Sequence, residues 1–187
     1  MKILIIGNEG YIGPVLLEHL KKTGQNYFVG GYDIGYFSHV ITTDSLPEKL
    51  IDVQYRGDVR SFSPEVLKSF DSVVYLAAIS NDPMGKEFEK ITYDVNQHAA
   101  VKIAKSCIKA GIKNFVYASS CSVYGEGGNK PKKEESKLNP LTAYAKSKIN
   151  TEKELEALNS TNCVITCLRF ATACGFSPRI RLDLVLN

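Results

Sequence analysis

The sequence predicts an α/β fold, with a doubly wound parallel sheet of about six strands and helices on both faces. Two observations support this prediction. Short apolar runs alternate with segments of helical periodicity along the chain. The run at residues 72–77 is apolar almost throughout, which is typical of a strand buried on both faces of a parallel sheet. With 187 residues, 44% of them hydrophobic, the chain is long enough for one domain with a proper core.

Boundary signals locate the individual elements. Strands are predicted over residues 2–6, 26–32, 51–55, 72–77, 114–119 and 163–169, and helices over residues 11–22, 63–70, 87–110 and 142–158. Gly24 and Gly111 are placed to end two helices, while Ser63 and Pro64 are typical of an N-cap and a first helical residue. The first helix is expected to bury a face formed by Ile12, Val15, Leu16, His19 and Leu20.

The stretch after the first strand carries three regularly spaced glycines, Gly7, Gly10 and Gly13. Their G-x-x-G-x-x-G pattern is a variant of the G-x-G-x-x-G spacing of dinucleotide-binding proteins. Gly7 lets the chain turn, Gly10 lets backbone amides approach a pyrophosphate, and Gly13 lets the helix pack against the sheet. The helix N-terminus adds free N–H groups and the positive end of its dipole. A purely structural turn is the alternative, but the position between a strand and a helix favours a dinucleotide site.

Carboxylates follow the next two strands. Asp33 stands 20 residues after Gly13, where it can accept hydrogen bonds from both hydroxyls of an adenosine ribose. This favours NAD over NADP, and no arginine follows Asp33 directly to bind a 2′-phosphate. Asp58, with Val59 beside it, is placed to accept the exocyclic amine of adenine, although a solvated loop aspartate explains it equally well. Where the fourth strand ends, small side chains suit either a backbone close to a cofactor or simple packing, at Leu76, Ala77 and Ala78.

Tyr144 and Lys148 lie four residues apart and therefore on one face of the helix predicted at residues 142–158. An ammonium group beside a phenol stabilises the phenolate and lowers its pKa from ~10 toward neutrality, which makes a usable general base. Ser119 and Ser120 stand at the end of the fifth strand, where a hydroxyl can hydrogen-bond the same substrate oxygen. Together these groups suit reversible deprotonation of a carbinol beside a nicotinamide.

Composition excludes several other classes of protein. The net charge of +3 and pI of about 8.5 are too mild to indicate nucleic-acid binding. No apolar run approaches the ~20 residues of a membrane span, and the N-terminus does not resemble a signal peptide. Five cysteines without a C-x-x-C pair indicate reduced thiols in a cytoplasmic protein, with Cys163 and Cys167 in or near the core. The three histidines show no ligand spacing, so no metal is expected.

With these motifs in view, the chain resembles the extended short-chain dehydrogenases/reductases, within the NAD-dependent nucleotide-sugar epimerase/dehydratase group. The resemblance covers all 187 residues, and it is carried by GNEGYIG, YDIG, GDVR, YLAAIS, YDVN, YASSCSVYG, NPLTAYAKSK and LRFATACG, in the family's order. It implies a Rossmann fold, tightly held NAD and a nucleoside-diphosphate sugar as substrate.

The resemblance also implies roles for individual residues. Tyr144 would be the base, Lys148 would hold the nicotinamide ribose, and Ser120, five residues before Gly125, would contact the reacting sugar hydroxyl. Asn96 would support the active site from the long helix. The implied cofactor-binding set is Gly7, Gly10, Tyr11, Ile12, Gly13, Asp33, Asp58, Val59, Leu76, Ala77, Ala78, Asn96, Ser119, Tyr144 and Lys148. The implied substrate set is Ser120, Cys121, Ser122 and Thr172.

Departures from the family pattern refine this interpretation. The Asp-Glu pair by which the family's 4,6-dehydratases eliminate water is replaced by Cys121 and Ser122, which argues against dehydration. Cys121 is expected mainly to pack, with a substrate contact as the alternative. Cys174 and Thr172 replace a Tyr and an Asn of the family. The chain also ends soon after the sixth strand, so we expect residues 1–175 to form the NAD-binding domain and residues 176–187 to begin a truncated substrate lobe.

Three functions remain open. The favoured one is an NAD-dependent nucleotide-sugar epimerase that oxidises a sugar carbon transiently with Tyr144 as base. A net dehydrogenase or reductase on such a sugar is closely related. A non-catalytic dinucleotide-binding module is the alternative from another class, favoured by the short length and opposed by the Ser120, Tyr144 and Lys148 set. By resemblance, the helices at 87–110 and 142–158 would pair in a homodimer.

Overall fold

Within residues 1–80, 88–126, 130–158 and 162–181, which the computed structural model describes, six strands form a single sheet. All neighbouring strands are parallel, in the order β3-β2-β1-β4-β5-β6. The strands are β1 (Lys2–Ile6), β2 (Phe28–Asp33), β3 (Val53–Arg56), β4 (Ser72–Tyr75), β5 (Asn114–Ser120) and β6 (Val164–Phe170). This is the doubly wound arrangement that the sequence predicts, and its switch point lies between β1 and β4.

Helices connect the strands. They are α1 (Gly13–Lys22), α2 (Glu89–Tyr93), α3 (Ala100–Ala110) and α4 (Ala143–Glu156), and a π-helical turn (Asp94–Ala99) joins α2 to α3. The helix predicted at 87–110 is therefore interrupted, and residue 87 lies outside the described residues. The helix predicted at 63–70 is a 3₁₀ segment (Pro64–Ser69). Ser63 occupies its N-cap position without a side-chain cap bond. Further 3₁₀ segments are Pro47–Leu50, Val59–Ser61 and Cys121–Tyr124.

Alternate residues of β1 divide the core between the two faces of the sheet. Leu4 and Ile6 join the larger cluster, to which α3 contributes, while Ile3 and Ile5 pack with α1. The predicted buried face of α1 is partly wrong, because Val15 and His19 are exposed and Leu17 is the buried anchor. The reason is the close approach at the start of the helix: a Cβ at Gly13 would collide with the carbonyl oxygen of Asn8, so the helix packs through the Gly13 and Leu17 side.

Strand β6 is covered on one face by the described residues. The side chains of Val164, Leu168 and Phe170 are exposed on the other face. On the covered face, Cys167 packs against the larger core cluster, and Cys163 just before the strand is buried, as predicted for both thiols.

Candidate active site

The loop after β1 is shaped by its first and third glycines. Gly7 has a φ of +88°, and a Cβ there would lie 2.5 Å from the amide nitrogen of Ala77. Gly13 has no room for a Cβ beside Asn8. Gly10 differs, because its φ is not positive and its Cβ would meet nothing closer than the Gly7 carbonyl oxygen at 3.5 Å. Since packing does not require glycine at position 10, the residue suits an open surface that a ligand can approach closely.

The two residues after Gly10 lead into α1, with Ile12 at its N-cap position. Tyr11 and Ile12 are half-buried, and the Ile12 carbonyl accepts the amide of Leu16 at 3.0 Å. Tyr11 also ties the loop to the segment after β6: its hydroxyl donates to the carbonyl of Gly175, and its own carbonyl accepts from the Ser177 hydroxyl at 2.7 Å.

Asp33 lies against the glycine loop, as its spacing predicts. Its carboxylate accepts the backbone amide of Glu9 at 2.9 Å and that of Gly35 at 2.8 Å. These two bonds fix the carboxylate at the carboxyl end of β2. Each oxygen keeps lone pairs for a further donor such as a ribose hydroxyl.

Two polar residues of the loop, Asn8 and Glu9, were not singled out by the sequence argument. Asn8 forms a reciprocal amide pair with Gln54 on β3, with Asn8 Nδ2 2.8 Å from Gln54 Oε1. Glu9 is ion-paired with Arg56 at the end of β3. The sequence signal that could have identified Glu9 is a charged residue between the glycines of the turn. What the sequence could not show is the register that places Arg56 opposite Asp33.

Asp58 is committed to its own loop. It caps the Val59–Ser61 segment by accepting the Arg60 amide at 2.8 Å, and it pairs with the Arg60 guanidinium. The hydrogen bond from Arg60 lowers the pKa of the Asp58 carboxyl. Val59 is buried in the core, so any contact it makes with a ligand would use its backbone.

The end of β4 meets the glycine loop directly. The amides of Leu76 and Ala77 both donate to the Ile6 carbonyl, at 2.8 and 3.0 Å, and Ala78 continues the chain half-buried. Asn96 anchors the residues that follow. Its Oδ1 accepts the Ile79 amide at 2.8 Å, and its Nδ2 donates to the Ile79 carbonyl at 3.0 Å. Asn96 is fully buried, so this side chain fixes the loop after β4 from behind.

The π turn that carries Asn96 is stabilised by hydrogen bonds from side-chain hydroxyls. Its widened backbone frees carbonyl groups, and hydroxyls from the sheet and from α4 satisfy them. Tyr75 donates to Val95 at 2.9 Å, and Tyr117 and Thr151 each donate to the Asn96 carbonyl at 3.1 Å. Such turns are frequent at functional sites.

Lys148 is the most unusual ionisable group of the site. It is 2% exposed, its Nζ donates to the Ala118 carbonyl at 2.6 Å, and it lies 4.7 Å from the ring centroid of Tyr117 and 5.5 Å from that of Tyr144. Burial lowers the pKa of Lys148 to about 7, against a partial opposing effect of Glu152. The structure thus brings Tyr144 and Lys148 together beside the end of β5, as predicted.

The two serines at the end of β5 have different surroundings. Ser119 is buried, and its hydroxyl donates to Glu152, whose carboxylate also holds the Arg169 guanidinium at 2.7 Å. The Ser119 hydroxyl is thus used within the protein, and a cofactor contact would need its backbone. Ser120 is half-buried and accepts the Ser122 amide at 3.2 Å as the N-cap of Cys121–Tyr124. Helix α4 packs on both β5 and this 3₁₀ segment.

The remaining predicted substrate residues lie around this end of the sheet. Ser122 has a buried hydroxyl oxygen without a hydrogen-bond partner among the described residues, and Thr172 is exposed after β6. Cys121 is exposed, so the expectation that it packs is wrong, because the 3₁₀ segment turns it outward. Cys121 lines an open cleft of 720 Å³ beside β6, together with Tyr124, Gly125, Lys132, Lys133, Glu134, Glu152 and residues 167–171.

No helix in the described ranges is both long and apolar enough to cross a bilayer. The same ranges contain no group of three or more His, Cys, Asp or Glu side chains arranged to hold a metal ion.

Comparisons with known proteins agree with this geometry. The uncharacterized UDP-glucose epimerase YtcB of Bacillus subtilis (strain 168) is 31% identical over 195 residues, covering 100% of this chain and 60% of that protein. A UDP-glucose 4-epimerase of Lactobacillus helveticus is 28% identical, covering 95% and 53%. The structure of UDP-glucuronic acid 4-epimerase from Bacillus cereus in complex with UDP-glucuronic acid and NAD matches with a TM-score of 0.82 and 27% identity, covering 98% and 60%.

The chain thus spans between 53% and 60% of the length of these relatives. Residues 3–183 match the sequence model of the NAD dependent epimerase/dehydratase family. The chain therefore belongs to the NAD-dependent epimerase/dehydratase family.

Proposed function

We propose that this chain forms the cofactor-binding part of an NAD-dependent nucleotide-sugar 4-epimerase, with a UDP-sugar as substrate. The observation that carries the proposal is the buried Lys148 beside the Tyr144 ring at the end of β5. Relatives named UDP-glucose 4-epimerase support the choice of reaction and sugar nucleotide.

The loop after β1 fits NAD. Gly10 leaves its backbone open without any packing reason to be glycine, and Asp33 is fixed beside the loop with lone pairs to spare. Backbone amides and the α1 N-terminus would hold the pyrophosphate, and Asp33 would accept the adenosine ribose hydroxyls. NAD bound there would supply a nicotinamide that takes a hydride from the sugar carbon and later returns it.

The side chains of the site would move the matching proton. The Tyr144 phenolate accepts the proton of the sugar hydroxyl as the carbon is oxidised, and returns it to the oxygen when the carbon is reduced. Lys148, in its charged form, stabilises the phenolate through the field of its ammonium group. Ser120 donates a hydrogen bond to the sugar oxygen. Reduction on the opposite face of the carbon inverts its configuration, so no net oxidation occurs.

Elimination of water is not proposed. Neither Cys121 nor Ser122, which follow Ser120, supplies a carboxylate for it. A net dehydrogenase would use the same Tyr144 and Lys148, and it differs by releasing the reduced cofactor.

The test is turnover of UDP-glucose with NAD⁺ by the full-length native protein and by its Tyr144→Phe variant. We expect conversion to the 4-epimer without accumulation of NADH, and a loss of about 100-fold or more in the variant, because general-base catalysis contributes that much. Affinity for NAD⁺ in calorimetry is expected to stay unchanged.

The matched control is Tyr27→Phe, which also removes one phenol. Tyr27 bonds Gln25 at the opposite end of the sheet, so its variant should keep full turnover. Persistent turnover in Tyr144→Phe would contradict the base assignment. Stoichiometric NADH would indicate a dehydrogenase, and NAD⁺ binding without any turnover would indicate a binding module.

We propose further that a substrate-binding lobe follows residue 175 in the native protein. The longer relatives and the exposed apolar face of β6, with Val164, Leu168 and Phe170, support this. Residues 182–187 lie outside the described residues. The check is the intact mass of the protein from its native source, which we expect to exceed the 20.7 kDa of this chain; a mass of 20.7 kDa would contradict it.

A homodimer through the helices at 87–110 and 142–158 is also proposed. In support, α2 to α4 lie on the same face of the sheet, and Phe88 and Ile91 are exposed beside them. Light scattering of this 187-residue chain at micromolar concentration should give about twice its mass of 20.7 kDa, and the mass of a monomer would contradict the proposed dimer.

The proposed location is the cytoplasm, with all thiols reduced. Cys107, Cys121, Cys167 and Cys174 are free thiols in the structure. When the protein from its native source is unfolded and titrated with a thiol reagent, all five cysteines of this chain should react. A smaller number of reactive cysteines among these five would contradict the proposal.

A further inference from the structure

Glu9 is an unexpected residue for a turn that approaches phosphates. Its side chain is completely buried, it is ion-paired with Arg56, and its second oxygen, Oε1, is buried without a hydrogen-bond partner among the described residues. A buried carboxylate is costly to hold, and its cost is offset when a guanidinium lies against it. Arg56 is therefore the partner on which the buried charge depends.

Arg56 lies beside Asp33. The two residues are register partners on β2 and β3, and Arg56 Nη1 would be 2.7 Å from a Cβ at Gly35, whose amide binds Asp33. The hydrogen bond that Arg56 donates to Glu9 is the main cause that raises the pKa of Arg56, and the charge of Asp33 adds to it. About half of the Arg56 side chain is exposed, so the guanidinium would reach a ligand if it were released.

This arrangement matters for the choice between two cofactors. NAD and NADP differ by a phosphate on the adenosine ribose 2′-hydroxyl, the group expected next to Asp33. An arginine in that position binds a phosphate well, because its fork of N–H donors matches the phosphate oxygens. The two negative charges of Asp33 and Glu9 exceed the single positive charge of Arg56, so the net charge of these three side chains is negative.

We propose that Glu9 is a cofactor-specificity residue: by holding Arg56 in the ion pair beside Asp33, it withholds the guanidinium from a 2′-phosphate and so selects NAD over NADP. The inference rests on the proposed NAD binding at this loop. It assigns to Glu9 a function beyond tying the glycine loop to β3, which the Asn8–Gln54 pair also does.

The test is calorimetric binding of NAD⁺ and NADP⁺ to the wild-type chain, Glu9→Gln, Arg56→Gln and the double variant. Wild type should prefer NAD⁺. Glu9→Gln should raise the affinity for NADP⁺ relative to NAD⁺ at least tenfold, because Arg56 is freed while one negative charge is lost. The double variant should lose that gain, since the freed guanidinium is then absent. A melting curve of each variant reports its folding.

Glu18→Gln is the matched control, because Glu18 is an exposed carboxylate on α1 paired with Lys22 and its loss should leave the ratio unchanged. If Glu9→Gln fails to fold, Glu9→Ala removes the same charge without a buried amide and carries the same expectation. An unchanged ratio in a folded Glu9 variant, or a gain that survives in the double variant, overturns the inference while NAD⁺ binding stands. A wild-type chain that binds no NAD⁺ overturns the proposed function itself.

Discussion

On the β1–β3 side of the switch point, the groups placed to hold a cofactor are largely backbone atoms and carboxylates already bonded to backbone. Gly10 presents an open main chain, and Asp33 is fixed by the amides of Glu9 and Gly35. On the β5–α4 side, the predicted reactive groups are side chains. Tyr144 and Lys148 project from one helix, and Lys148 is buried between two aromatic rings.

This difference determines what a substitution should reveal. On the first side, a change acts through the shape of a loop, so it should alter folding or cofactor affinity. On the second side, a change acts through a proton or a charge, so it should alter turnover or pH dependence. Asn96 connects the two sides, because its side chain binds Ile79 after β4 and also Ser147 on α4 at 3.2 Å.

The largest expected effect separates two glycines of the same loop. Gly7→Ala should lower the free energy of unfolding by about 3 kcal/mol, because a left-handed residue with a Cβ costs ~1–2 kcal/mol and the clash with Ala77 adds overpacking. Gly10→Ala should change it by less than ~0.5 kcal/mol, since nothing lies in its way, yet weaken NAD⁺ binding at least tenfold. Urea unfolding and calorimetry measure the two quantities.

Each variant is the other's control. Equal destabilisation of both would show that Gly10 serves the fold, and unchanged NAD⁺ affinity in Gly10→Ala would remove it from the cofactor site.

The sequence predicted those features that depend on local pattern. The alternating elements led to the parallel doubly wound sheet, and Gly24 and Gly111 follow α1 and α3 as expected. What the sequence could not show depends on register and tertiary contact. Arg56 reaches Glu9 because β3 pairs with β2, although the residues are 47 apart in the chain. The π turn forms where Tyr75 bonds a freed carbonyl, and no helix propensity encodes that contact.

A smaller effect is expected from the residue that joins the two sides. Asn96→Ala removes both bonds to Ile79 and the bond to Ser147, so it should cost about 2 kcal/mol in the free energy of unfolding. It should also weaken NAD⁺ binding, because the loop after β4 lies against Gly7. Asn150→Ala is the control, since Asn150 is exposed with one long bond of 3.4 Å to Gln97. If the two variants were equally stable, Asn96 would not hold the loop.

The smallest effect concerns the proton on Lys148. Burial lowers its pKa in the folded chain to about 7, whereas in the unfolded chain it stays near 10.5. Between these values the unfolded state binds more protons, so Lys148 makes the folded state more stable as pH rises through 7. Relative to Lys148→Met, the wild-type free energy of unfolding should increase by about 1.4 kcal/mol from pH 6 to pH 8, without added cofactor.

Urea unfolding of both proteins across this pH range measures that difference, and other titrating groups cancel because the two chains share them. Lys146→Met is the control, because Lys146 is exposed on the same helix and its difference from wild type should stay flat. If the difference in the free energy of unfolding between wild type and Lys148→Met did not change with pH, the Lys148 ammonium would keep its proton in the folded chain. A rising difference would mean that Lys148 is neutral in the folded chain above pH 7, so it would have to regain its proton to stabilise a Tyr144 phenolate.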